Sequence, residues 1–162
     1  MEHAAKISRR AALAASAVLA PCVAAADPRA DAEAALRAFL HAFENCDLPA
    51  MEAAFAPDAT GFDRVIASSK GSPAPLDLAA LRRRPGMPAG MRAVAVDLPK
   101  RGGSPPYQTL DPKDLLVQVA GDMALCTFDL ESPTGVGRRT IVLVRRSGMW
   151  KTLHVHASNA VT

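Results

Sequence analysis

The sequence predicts an α+β domain in which N-terminal helices cover one face of an antiparallel sheet built from the later part of the chain. Three observations carry this. Leu36, Phe39, Leu40 and Phe43 fall at i, i+3, i+4 and i+7, one apolar stripe of an amphipathic helix. Residues 115–120, 123–130, 138–146 and 149–157 are β-prone runs, joined at the turn signals Gly121-Asp122 and Ser147-Gly148. A length of 162 residues fits one domain.

Residues 1–26 stand apart from that domain. Lys6, Arg9 and Arg10 precede an apolar run at 11–20, and Ala24-Ala25-Ala26 supplies the small residues a signal peptidase reads. The run is shorter than the roughly 20 residues a bilayer span takes. Ser8-Arg9-Arg10-Ala11-Ala12-Leu13 is similar to the twin-arginine export motif, with Ala12 where an aromatic usually stands. Pro21 ahead of Cys22 spoils a lipoprotein cleavage box. The expectation is a twin-arginine signal peptide over 1–26, a mature domain over 27–162, a periplasmic or secreted address, and no stable membrane anchor. The leader removes three of 19 Lys and Arg and one of 16 Asp and Glu, leaving 16 and 15 and a net charge of +1. That balance asks for neither nucleic acid nor anionic lipid. Cys46 and Cys126 remain in an oxidising compartment, either paired or as two buried free thiols.

In the mature chain, Asp27-Pro28 starts the first helix: a capping residue, then proline where its missing N–H costs nothing. This helix ends near Asn45-Cys46. Asp47 caps a shorter second helix with Met51, Ala54 and Phe55 inward, stopped at Pro57-Asp58. Residues 59–66 read as a short strand, 76–84 as a short helix, 91–98 as a strand, and 100–108 and 131–137 as loops. The proline-rich middle is the least regular part.

In residues 140–144, Val142 and Val144 share one strand parity and Ile141 and Leu143 the other, so apolar side chains face both ways. A strand covered on one face only should alternate. Helices cover one face, and a second subunit would cover the other, which predicts a homodimer through the outer sheet face. On this reading Ile141 is taken as an outer-face position.

Leu36-Arg37-Ala38-Phe39-Leu40, Asn45-Cys46-Asp47-Leu48 and Phe55-Ala56-Pro57-Asp58-Ala59-Thr60 resemble the start of SnoaL-like members of the nuclear transport factor 2-like superfamily. Gly121-Asp122-Met123-Ala124, Arg139-Thr140-Ile141-Val142-Leu143 and Trp150-Lys151-Thr152-Leu153-His154-Val155-His156-Ala157-Ser158 resemble its closing strands. The ending is also similar to the association domain of calmodulin-dependent kinases. The resemblance spans about residues 30 to 160 and is poor in the proline-rich middle. It implies a cone-shaped, curved antiparallel sheet wrapped around N-terminal helices, a conical pocket and frequent dimerisation. Members include isomerases, dehydratases and non-catalytic binders, so the fold does not choose the function.

The catalytic candidates are Asp63 and His41. A carboxylate in an apolar cone has a raised pKa and can take a proton next to a carbonyl. The resemblance to ketosteroid-isomerase-like relatives brings a carboxylate into the pocket from the region of Asp63, and a polar group from the first helix, where His41 sits. Tyr107, the sole tyrosine, lies in a loop rather than on that helix, which departs from the isomerase pattern. The ligand-binding candidates are Arg139, Tyr107, Trp150, His154 and His156. Arg138 and Arg139 open a strand, and a guanidinium clamps a carboxylate with two parallel hydrogen bonds. His154 and His156, at i and i+2, share a strand face that points either into the cone or away from it. A catalytic zinc wants three protein ligands, and the sequence offers no third at suggestive spacing, so no metal and no other cofactor is expected. Three functions stand open: an exported small-molecule-binding or accessory protein, a cofactor-free isomerase or dehydratase, and a dimeric interaction module.

Overall fold

The computed structural model describes residues 27–61, 85–132 and 135–161. The leader expected at 1–26, the far end of the early strand and the helix expected at 76–84 lie outside the described residues.

Helix α1 (Pro28–Glu44) starts as its sequence dictates. The Asp27 carboxylate accepts from the Arg29 N–H at 2.9 Å, and Pro28 takes the first position. Ala32, Leu36, Phe39 and Leu40 are buried along one side, and the Phe39 ring meets Phe55 edge-on at 5.5 Å. Cys46 turns the chain at φ 54°, and α2 (Leu48–Ala53) follows, capped by Asp47, which accepts from Ala50 N–H at 3.1 Å.

Strand β1 (Phe55–Gly61) begins four residues earlier than its pattern suggests and carries Pro57 and Asp58 inside it. It lies at the edge of the sheet, where a missing N–H interrupts no ladder on the solvent side.

The strand expected at 91–98 is instead part of helix α3 (Ala89–Lys100). The valines at 94 and 96 imitate strand alternation, yet both are exposed, at 39% and 41%. The side that packs is Met91 and Ala95, spaced i and i+4, against Ala42 and Met51. An Arg92–Glu52 ion pair also ties α3 to α2.

The last four strands form a meander: β2 (Lys113–Ala120), β3 (Met123–Ser132), β4 (Gly135–Arg146) and β5 (Met149–Val161). Residues 131–137 are mostly strand rather than loop, because Glu131 pairs with Val136 and Ser132 with Gly135. The sheet order is β1-β5-β4-β3-β2, with β1 parallel to β5 and the other neighbours antiparallel.

The register sorts the two faces. Val117, Cys126, Ile141 and Val155 stand in line across β2, β3, β4 and β5, all buried beneath α1 with Ala124, Phe128 and Leu143. Ile141 and Leu143 therefore point inward, and Val142 is the outward residue, correcting the expectation for Ile141. The outer face stays partly apolar: Leu116, Met123 and Leu125 are 47%, 46% and 37% exposed. Cys46 and Cys126 are both free thiols. Among the described residues no helix is long and apolar enough to cross a membrane.

Candidate functional site

The inner face of the sheet is apolar where α1 covers it and becomes polar towards the β3–β4 hairpin. Register puts Arg139 between Phe128 on β3 and Ala157 on β5. Two residues earlier on the same face is Gly137. A Cβ there would stand 2.7 Å from Nη2 and 2.8 Å from Nη1 of Arg139, so the guanidinium lies directly over the Gly137 backbone. Any larger residue would push it away. Nη1 donates to the carbonyls of Arg138 and Ser158 at 2.9 and 3.0 Å and to Asn159 Oδ1 at 3.3 Å. These acceptors orient the guanidinium on the inner face. Phe128 is buried beside it, and Leu130 and Ala157 are half-buried. A cation on an apolar floor suits a small acid with a hydrophobic tail.

The other candidates are dispersed. His41 is exposed on α1, and its Nε2 lies 3.3 Å from Asn45 Nδ2. Tyr107 is half-buried in the loop that docks on the end of α1. Its N–H donates to Glu44 O at 2.8 Å, Gln108 Nε2 to Phe43 O at 3.1 Å, and Leu110 N–H to Glu44 Oε1 at 2.6 Å. The first two bonds satisfy carbonyls that a helix end leaves open, and the third ends on the Glu44 carboxylate.

Trp150 is buried on the inner face opposite Arg145, whose guanidinium carbon stands 4.7 Å from the ring centroid. Six residues separate Arg145 from Arg139 on β4, about 20 Å along the strand, so Trp150 and Arg139 are not in one site.

His154 and His156 pair with Val142 and Thr140, which places both on the outer face. The reason is strand parity: Val155 between them is buried opposite Ile141. His154 Nδ1 lies 2.8 Å from Thr60 Oγ1, joining β5 to β1, and His156 is exposed. Asp63 lies outside the described residues. Among those described, no three His, Cys, Asp or Glu side chains gather in one place.

Gly137, Phe128 and Asn159 complete the Arg139 cluster and are absent from the sequence-derived set. Gly137 carries the one usable signal, a glycine two residues before an arginine on a strand. The buried Cys126 thiol is pushed up to about 11, first by desolvation and then by the charge of Glu33, which leaves it protonated and inert at neutral pH.

The SnoaL-like domain model matches residues 91–162. No curated protein matches the chain. Similar solved structures include a nuclear transport factor 2-like protein of unknown function from Pseudomonas putida, 23% identical, covering 80% of this chain and 84% of its own, with a TM-score of 0.58. A candidate dehydratase of the same family from Streptomyces avermitilis is 19% identical, covering 83% and 96%, with a TM-score of 0.57. The CaMKII hub of S. rosetta is 20% identical, covering 84% and 99%, with a TM-score of 0.55. At these identities the likeness is one of fold. The chain thus has the nuclear transport factor 2-like fold, and its part from residue 91 onward resembles the SnoaL-like domain.

Proposed function

We propose that this chain is an exported, non-catalytic binding protein that holds a small apolar carboxylate on the inner face of its sheet, with Arg139 as the carboxylate clamp. One observation supports this above the others: the Arg139 guanidinium lies over Gly137, oriented by Ser158 O and Asn159 Oδ1, with Phe128 and Ala157 as its cross-strand neighbours and Leu130 opposite Gly137. A guanidinium binds a carboxylate with two parallel hydrogen bonds, and one already oriented loses less freedom in doing so. The leader motif supports export, and the partly apolar outer face supports a dimer.

The experiment is a thermal-shift titration of the mature protein with octanoate, against Arg139→Gln. A ligand at 100 times its Kd stabilises by about 2.7 kcal/mol. For a domain of this size that is a rise of roughly 5–10 °C in Tm. The reading predicts such a rise, lost in Arg139→Gln. An equal rise in both proteins, or none with any monocarboxylate from butyrate to dodecanoate, refutes it. A candidate ligand that is turned over by the parent and not by Asp63→Asn or His41→Ala would replace it with an enzyme of isomerase or dehydratase type.

A further inference from the structure

At the other end of the inner face, where β4 turns into β5, two buried donors have no acceptor among the described residues. Trp150 is 9% exposed, and among those residues neither its indole N–H nor Nε of Arg145 has a hydrogen-bond partner. They cannot satisfy one another, because both carry the positive end of an N–H bond. The stacked guanidinium offers its charge to the ring face, which leaves the in-plane indole N–H unmet. A buried donor left unpaired carries a desolvation penalty, so it calls for a partner. The Asp31 carboxylate, on the first turn of α1, stands 4.0 Å from Arg145 Nη2, too far for a hydrogen bond.

The geometry points to an oxyanion-binding site formed by Trp150 and Arg145, separate from Arg139. Two donors of one sign ask for an acceptor, and the guanidinium makes a negative one the best match. Both nitrogens are closed from solvent, so the anion enters when Arg145 moves off the ring. That side chain is 33% exposed and loosely held by Asp31, so the movement breaks no hydrogen bond to the carboxylate. Once displaced, the guanidinium clamps one oxygen while the indole N–H donates to the other. The apolar ring beside them suits a small, weakly hydrated carboxylate.

Trp150 is the sole tryptophan, so one indole ¹H–¹⁵N resonance reports the site alone. The probe is formate, exchanged for chloride at constant ionic strength on the mature protein. A saturable shift of that resonance is expected. Arg145→Gln should weaken the apparent affinity at least tenfold, Asp31→Asn should match or tighten it, and Arg139→Gln should leave it unchanged, which separates this site from the carboxylate clamp. The amide spectrum of each variant verifies its fold. The inference is overturned if the indole does not respond to formate, if Arg145→Gln responds with the parent's affinity, or if Asp31→Asn binds more weakly.

Discussion

Truncating Ile141 and Val142 separately, each to alanine, tests the assignment of the two sheet faces. Ile141 is 2% exposed and sits in the row with Cys126 and Val155. Its truncation removes three buried carbon atoms. At about 0.8 kcal/mol each, transfer alone costs about 2.4 kcal/mol, and the cavity left under α1 brings the total to about 3–4 kcal/mol. Val142 loses two carbons from a half-buried outer position, for less than about 1 kcal/mol on the same scale. With an m-value of about 2 kcal/mol/M in urea, Ile141→Ala should lower the midpoint by about 1.5–2 M, and Val142→Ala by under about 0.5 M. Urea unfolding followed by far-UV circular dichroism, at one fixed protein concentration, reads both. Equal losses, or a larger loss at Val142, would mean that the strand is turned over and that Arg139 faces outward.

Three further outcomes follow from other parts of the molecule. Burial raises the Cys126 thiol from 9.0 to about 11, so its neutral form is favoured in the fold. That stability is fully present below about pH 9 and is lost as pH rises towards about 11; urea midpoints at pH 8 and 10.5 should fall further for the parent than for Cys126→Ala. Glu44→Ala removes the acceptor for Leu110 N–H and should cost about 1.5–3 kcal/mol, with faster limited proteolysis confined to residues 101–112. Val142→Asp puts a charge in the middle of the outer face; on the dimer proposal it halves the mass seen by light scattering while circular dichroism stays unchanged, and an unchanged mass at the same concentration rejects that interface.

Much of the fold was legible because its signals are local. The α1 stripe, the Asp27 and Asp47 caps and the turns at Gly121 and Ser147-Gly148 each declare themselves within a few residues. The errors arose where the local pattern fits two periods or depends on a distant partner. Val94 and Val96 alternate like a strand, while the contacts that decide α3 are Met91 and Ala95 on Ala42 and Met51. The orientation of β4 could not be read from residues 140–144, since both parities are apolar; Cys126 and Val155 across the sheet decide it. The Arg139 cluster was half legible. The guanidinium was visible as a clamp, but Asn159 meets it only through the β4–β5 ladder, and the approach of the side chain to Gly137 on its own strand depends on that fold. His154 and His156 drew attention as a pair, and strand parity turned both away from the inner face.

The central claim is that the inner face carries a small acid at Arg139. Native mass spectrometry of a gently purified protein spanning residues 27–162 tests it most directly. The account predicts a bound organic acid retained by the parent and absent from Arg139→Gln. An empty parent, or a ligand carried equally by both proteins, would contradict it.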